Sequence, residues 1–488
     1  MKIYIDAFLT YALDNHLIKD IDEAKHHMVK LFGLKNYAYD SYHLPINQVL
    51  EKLLDVAYEN QLFTPNTTLE RDAFEAYMFD QIMPSPKEVK QTFLDKAEKD
   101  KNQAFTYLYD LSKRVNYIKT NRINQNIHFI YPSPYGALQI TINLSKPEKD
   151  PKDIAKALEK PKLSVNGPAC VLCKENEQNY ENARMNLRIV PIELAQEIWH
   201  FQYSPYLYFN EHSIVLSDVH RDMKIDQKTF RALFDFIDYM PSYFIGSNAD
   251  LPIVGGSILN HDHFQSGRHH FPIEDATPIK TYDDLKDISI SHLYWPLSTI
   301  RLRSKHRSHL EDFASHVLNS WKTYLNEELS IIPYTNVPHQ TITPIVRFKN
   351  DYYELDLILR NNRTDETFPD GIFHPHQTYH HIKKENIGLI EAAGLAILPG
   401  RLKEELRLCY KFLNEGQRDP NIQKHMPWLN KLSREKHIDN MNDLYQEVGK
   451  VFTHVLEDSG VFKLNQTGIS AMDAFIKSTI HTYKKREH

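Results

Sequence analysis

Residues 255 to 265 read Gly-Gly-Ser-Ile-Leu-Asn-His-Asp-His-Phe-Gln, and no other run constrains the fold as much. Two adjacent glycines let a backbone approach a bulky or anionic group closely. The alternation that follows predicts a strand presenting His261, His263 and Gln265 on one side, with Asp262 on the other. Two imidazoles and a carboxamide do not make the face of a plain apolar core. Such a face needs a metal, a phosphoryl group, or a set of satisfied buried polar bonds.

The rest of the chain supplies the setting for this strand. Residues 1 to about 125 read as a helical region. The run Val49-Leu50-Glu51-Lys52-Leu53-Leu54-Asp55-Val56-Ala57 places apolar residues three and four apart. Pro84-Ser85-Pro86 interrupts the region, and Phe93 to Val115 predicts a further helix. The period then changes to two at Gln139-Ile140-Thr141-Ile142-Asn143-Leu144, a strand, and a charged, proline-punctuated loop follows over residues 146–151. Tyr206–Phe209 and Ser213–Leu216 read as the two arms of a hairpin. Asp226 is placed to cap a helix whose stripe is Phe230, Leu233, Phe234 and Ile237. Two more strands are expected over Thr341–Val346 and Tyr353–Leu359, and residues 401–488 return to helix. The expected class is α+β. Two strand-and-helix blocks, 126–275 and 276–400, have the look of related halves, though no repeat is visible between them. The domains read as 1–125, 126–275 and 276–488, the last including the helical tail.

Bulk properties exclude several function classes. The 488 residues suffice for two or three domains. A net charge of −6 argues against a general nucleic-acid binder, which needs a basic excess. Cys170, Cys173 and Cys409 are the only cysteines, too few and too odd in number for a disulfide framework, which suits a reducing cytoplasm. The N-terminal stretch carries acids and no small-residue cleavage site, so it does not read as a signal peptide. The most apolar run, Ile387 to Leu398, contains Glu391 and is too short to span a membrane.

Three motifs carry chemistry. His261-Asp-His263-Phe-Gln265 offers a nucleophile, because neutral imidazole attacks a phosphoanhydride well, or else a metal-binding or simply a buried pair. Cys170-Val-Leu-Cys173 offers half of a tetrahedral zinc site, or two free thiols; His220 and His261 are its candidate partners. A second histidine group, His374, His376, His380 and His381, falls in a loop after Pro369-Asp370-Gly371 and suits a metal or phosphate contact less well than a solvated loop. Lys383-Lys384 follows it, two charges able to neutralise a phosphate.

Together these stretches resemble a family. The run from Gly246-Ser247-Asn248 through Gly255-Gly256-Ser257 to His-Asp-His-Phe-Gln, the segment Cys170-Val-Leu-Cys173-Lys-Glu-Asn-Glu, Phe201-Gln-Tyr-Ser-Pro-Tyr206, and His381-Ile-Lys-Lys-Glu-Asn-Ile-Gly-Leu-Ile-Glu391 are similar to the class II galactose-1-phosphate uridylyltransferases of bacteria, within the histidine-triad superfamily. The resemblance covers about residues 126 to 410. It implies two histidine-triad-like halves of antiparallel sheet and helix, with the N-terminal helical region and the helical C-terminus added. It implies a ping-pong exchange between UDP-glucose and galactose-1-phosphate, with His263 as nucleophile, Gln265 on the phosphoryl oxygens and His261 orienting the nucleophile's loop. It further implies a structural zinc on Cys170, Cys173, His220 and His261, and nucleotide contacts from Asn248, Gly256 and Ser257; Lys384 is the substrate-binding candidate on its charge alone. Small-molecule partners, no nucleic acid, no membrane and a homodimer complete what it implies. The chain departs from the class I pattern in having Asp262 between the histidines and no histidine on the strand around Leu355–Ile358, so no second metal is expected. The competing readings are a nucleoside-polyphosphate phosphorylase or hydrolase of the same superfamily, and a zinc hydrolase using the His-x-His pair. A glutamine rather than a third histidine at 265 weighs against hydrolysis.

Overall fold

In the computed structural model, which describes residues 1–35, 37–145, 168–256 and 258–486, the chain is built on one ten-stranded antiparallel sheet. The loop expected over 146–151 and Ser257 lie outside the described residues.

The helical region forms as its periodicity predicts: α1 (Lys2–Asp14), α2 (Ile21–Leu31), α3 (Ile46–Glu59), α4 (Thr68–Asp80), α5 (Pro86–Ala97), α6 (Lys101–Arg114) and the short α7 (Thr120–Ile123). The apolar positions at 49–57 become the buried face of α3, namely Val49, Leu50, Leu53, Leu54 and Ala57. The proline break divides α4 from α5. Pro86 sits at the first turn of α5, where its missing N–H costs nothing, and Ser85 and Glu88 exchange capping bonds around it.

A repeat invisible in the sequence is plain in the topology. After the hairpin β1 (Ile127–Ser133) and β2 (Gly136–Asn143), the chain runs β3 (Val190–Leu194), β4 (Glu197–Tyr203), β5 (Ser213–Ser217), α8 (Gln227–Tyr239), β6 (Phe244–Gly246) and β7 (His263–Gly267). It then runs β8 (Pro278–Leu285), β9 (Ile288–Leu293), β10 (Thr299–Ser304), α9 (Arg307–Trp321), β11 (Gln340–Lys349) and β12 (Tyr352–Asn361). Both sets read three strands, a helix, two strands. In the sheet they lie as β3-β4-β5-β7-β6 and, mirrored, β11-β12-β10-β9-β8. They meet where Phe244, Ile245 and Gly246 of β6 pair with Arg347, Val346 and Ile345 of β11. One expectation shifts: the first arm of the hairpin before β5 is Glu197–Tyr203, not Tyr206–Phe209. Pro205 cannot donate to a ladder, and Tyr206–Phe209 forms the connection instead.

The two faces of the sheet bury different partners. Phe264, Leu302, Leu355 and Leu357 point into a core shared with the N-terminal helices, α8, α9 and the last helix, α14, which spans Gln466–Lys484. Phe244, Ile345 and Ile358 point into a second core. Covering that side are α10 (Leu389–Ala392), β13 (Leu395–Pro399), α11 (Leu402–Glu415), α12 (Met426–Glu435) and α13 (Met441–Ser459). Here β13 joins β2 in parallel, making a three-stranded sheet β1-β2-β13. No helix among the described residues is long and apolar enough to cross a membrane.

Gly246 lies where the halves meet and where the second layer touches the sheet. A Cβ there would stand 2.4 Å from Leu389 Cδ1 and 2.6 Å from the Pro344 carbonyl oxygen. The carbonyl is backbone and cannot retreat. Gly246→Ala is therefore expected to cost about 1–3 kcal/mol, seen as a lower midpoint in urea unfolding; an unchanged midpoint would show that the layers are looser than they stand.

Candidate active site

His263 and Gln265 stand on the second face of the sheet. Gln265 is paired with Gly246, Gly246 with Ile345, Ile345 with Asp356 and Asp356 with Arg301, so these five residues form one row across four strand interfaces. His261 precedes the strand rather than lying on it. Its ring turns to the cysteines, so the three side chains are not the single one-sided row that alternation predicts.

Four side chains meet at that turn. Cys170 Sγ lies 3.6 Å from Cys173 Sγ and 3.3 Å from His261 Nδ1, and Cys173 Sγ lies 3.2 Å from His220 Nδ1 and 3.6 Å from His261 Nδ1. All four donor atoms fall within 4.8 Å of one another. Sulfur and nitrogen bound to one tetrahedral ion at about 2.3 and 2.0 Å sit roughly 3.4–3.8 Å apart, so the set can hold a metal ion. The surroundings favour this use. His261 Nε2 donates to the Ser217 carbonyl at 3.0 Å, which leaves the Nδ1 lone pair toward the sulfurs. The Asn176 amide donates to the carbonyls of Cys170 and Cys173 at 2.8 and 2.9 Å and fixes the Cys-x-x-Cys turn. All three cysteines are free thiols.

The same turn fixes the histidine on the strand. His263 Nδ1 donates to the His261 carbonyl oxygen at 2.8 Å. That bond sets the tautomer and leaves Nε2 as a lone pair. Burial pushes the His263 imidazole down to about 4, with the His261 ring adding to the effect, so it is neutral at physiological pH. The backbone of His261, whose ring faces the sulfurs, thus orients the buried His263 imidazole.

Other buried groups face the same space, and sequence reasoning missed them. His212, just before β5, lies beside the Gln265 side chain and is pushed down to about 4 by burial. Its Nδ1 donates to the Tyr206 carbonyl at 2.8 Å, while its Nε2 and Gln265 Oε1 are buried without a hydrogen-bond partner. The two lie side by side, and turning the Gln265 amide end for end would let its N–H donate to His212 Nε2. A lone histidine after Asn-Glu carries no sequence signal. Asn248 uses its Oδ1 to accept the Leu389 N–H at 2.8 Å, tying β6 to α10. The two glycines serve this loop. A Cβ on Gly255 would meet the Ala249 carbonyl at 2.4 Å, and one on Gly256 the Asn248 amide at 2.6 Å. Nearby Ile253 has φ 72°, a strained value for a β-branched residue.

The lysine pair divides. Lys384 is exposed, whereas Lys383 is buried against Glu391, which also accepts the Gly388 N–H at 3.1 Å. The second histidine group does not converge. His374 meets Asn386, His376 the Ile372 carbonyl, His380 the Pro375 carbonyl, and His381 pairs with His425. His374 and His381 are buried, so this is not a solvated loop. Among the described residues the Cys170 group alone combines donors for a metal.

The strands β10, β11 and β12 of the second half carry no histidine. On the matching face of β10, β11 and β12, Arg301 forks onto Asp356 at 2.7 and 2.9 Å. Arg347 bonds Glu354 at 2.6 Å and Asp356 at 2.7 Å. The pseudo-equivalent site is a closed buried ion network.

Comparison with known proteins agrees with this geometry. Family models described as galactose-1-phosphate uridyl transferase, N-terminal domain and C-terminal domain, match residues 16–222 and 236–438. The chain is 47% identical to a galactose-1-phosphate uridylyltransferase of Clostridium acetobutylicum, over 97% of this chain and 98% of that one. It is 46% identical to one of Halalkalibacterium halodurans, over 98% of each. The likeness thus reaches through the N-terminal helices, beyond the 126–410 that the motifs cover. A solved yeast Ap4A phosphorylase, Apa2, matches at 10% identity with a TM-score of 0.30 over 58% of this chain and 84% of that one. Matched over nearly its whole length, and with His263 and Gln265 on one strand face, the chain belongs to the galactose-1-phosphate uridylyltransferase family.

Proposed function

We propose that the chain exchanges a uridylyl group between UDP-glucose and galactose-1-phosphate by way of a covalent bond to His263. The observation that carries this reading is the single free nitrogen of a buried, neutral imidazole whose other nitrogen is held by the His261 carbonyl. The His263 Nε2 lone pair attacks the α-phosphorus of UDP-glucose. The N–P bond forms as the bond to the bridging oxygen breaks, and glucose-1-phosphate leaves with that electron pair. The ring becomes cationic, and the His261 carbonyl stabilises its Nδ1–H. A phosphate oxygen of galactose-1-phosphate then attacks the same phosphorus, the N–P bond breaks, and the neutral imidazole returns. Gln265 and His212 supply polar atoms beside the reacting group without adding charge. Asn248 and Gly256 shape the loop that meets the nucleotide; Ser257 belongs to the same segment.

The metal suited to Cys170, Cys173, His220 and His261 is zinc. Two sulfurs and two imidazoles would complete a tetrahedral shell, so a bound zinc would be structural and would hold the turn from which His263 is aimed. The free thiols suit a reducing cytoplasm.

Incubating the protein with uridine-labelled UDP-glucose and no acceptor should label it to about one uridylyl group per chain, acid-labile as a phosphoramidate is, and release an equal amount of glucose-1-phosphate. Turnover without any protein-bound label would exclude the two-step route and favour direct transfer or hydrolysis.

A further inference from the structure

One buried charge in the structure lacks a counter-charge. Among the described residues, four arginine or lysine side chains are buried: Arg188, Arg347, Arg360 and Lys383. Arg188 pairs with Asp80, Arg347 with Glu354 and Asp356, and Lys383 with Glu391. Arg360, 1% exposed, pairs with none of the acids. Of its five N–H donors, one reaches Thr343 Oγ1 at a long 3.5 Å, and its Nε has no partner. Glu391 acts on it only from a distance and is itself neutralised by Lys383. Burial pushes the guanidinium down to about 10, so it remains charged at physiological pH. Asp250, which meets the neighbouring strand at Thr341, is engaged by the Thr341 hydroxyl and the Ile225 N–H.

Arg360 also faces the right way. It is directly paired with Thr341 on β11, and lies four residues along β12 from Asp356, which shares the row of Gln265. Period two therefore puts it on the same face as His263 and Gln265. Three strand spacings, roughly 14 Å, separate β12 from β7. Glu391, the acid that feels Arg360, belongs to α10, whose Leu389 rests on Gly246 in that same row.

We propose that Arg360 is the phosphate-binding residue for the sugar phosphate, gripping the group that leaves as the β-phosphate of UDP-glucose and returns as the phosphate of the incoming hexose-1-phosphate. A planar fork of donors suits a phosphate dianion, and the ligand supplies the counter-charge that the protein omits. This assignment rests on the uridylyl-transfer reading for the identity of the ligand, but not for the existence of the anion site.

The test uses the full chain and three variants. In a thermal melt, inorganic phosphate and galactose-1-phosphate should stabilise the parent protein and His263→Ala alike. Arg360→Met should lose that response, and without anion it should melt no lower than the parent, because it removes an unpaired buried charge. Arg360→Lys should keep a weakened response and raise KM for galactose-1-phosphate about tenfold or more with a smaller change in kcat. Arg360→Met melting lower without anion while keeping the phosphate response would overturn the proposal, making Arg360 structural. Should Arg360→Met not fold, an unaltered phosphate titration and KM in Arg360→Lys would overturn it equally. Failure of the uridylyl label in the parent, with the anion response still dependent on Arg360, would sink the transfer reading and leave the anion site standing.

Discussion

His263→Ala is expected to lower uridylyl exchange by about four orders of magnitude or more, and to abolish the covalent label, with little change in the folded state. Removing a nucleophile removes the two-step route altogether, and what remains is whatever binding and electrostatics provide. The fold should tolerate the change because His263 makes one hydrogen bond, to the His261 carbonyl, and because its cationic form is already disfavoured by burial. Two readouts check this: rapid-quench measurement of the labelled protein, and a urea midpoint within error of the parent. His263→Gly offers a sharper version. If the geometry is right, added imidazole should enter the vacated space and restore part of the turnover, giving free uridylyl-imidazole. Retention of label in His263→Ala would move the nucleophile elsewhere, and His212, the other buried neutral imidazole beside Gln265, would be the next residue to replace.

The second large effect is expected at the sulfur site. Cys170→Ser with Cys173→Ser should remove about one zinc per chain by elemental analysis and lower the melting temperature by several degrees. Exchange should fall by about 10–100-fold, through loss of aim rather than loss of chemistry. The link is short: His261 contacts both sulfurs through Nδ1 and orients His263 through its own carbonyl. Chelation of the parent should reproduce the effect, and zinc should reverse it. A metal-free protein with full activity and an unaltered melt would leave the four side chains as a hydrogen-bonded cluster only.

Much of this was legible in the residues. Helical periodicity located α3 and the proline break because those features are local. The Cys-x-x-Cys and His-x-His spacings named Cys170, Cys173 and His261, because residue type and motif are both present in the chain, while His220 came only as a candidate partner and from the family resemblance. Other features depend on pairing partners hundreds of residues apart. His212 and Arg360 carry no motif; they matter because each keeps a buried nitrogen, His212 Nε2 and Arg360 Nε, without a hydrogen-bond partner. Of the two adjacent lysines, alternation alone could not say which one would turn inward to Glu391. The hairpin arm shifted for a local reason that competed with β propensity, the proline at 205.

The sequence by itself determined the chemistry available: a histidine fit for phosphorus, a sulfur and imidazole set fit for zinc, and the class of fold that carries them. The tertiary structure decided how they are connected. The two halves share an order of strands that no residue pattern reveals, because topology is conserved by backbone pairing and not by side-chain identity. One half keeps the histidines while the other fills the matching face with a closed ion network. Only burial against the second layer makes the His263 imidazole neutral and leaves Arg360 without a counter-charge, because the loss of hydration that causes both exists only in the folded chain.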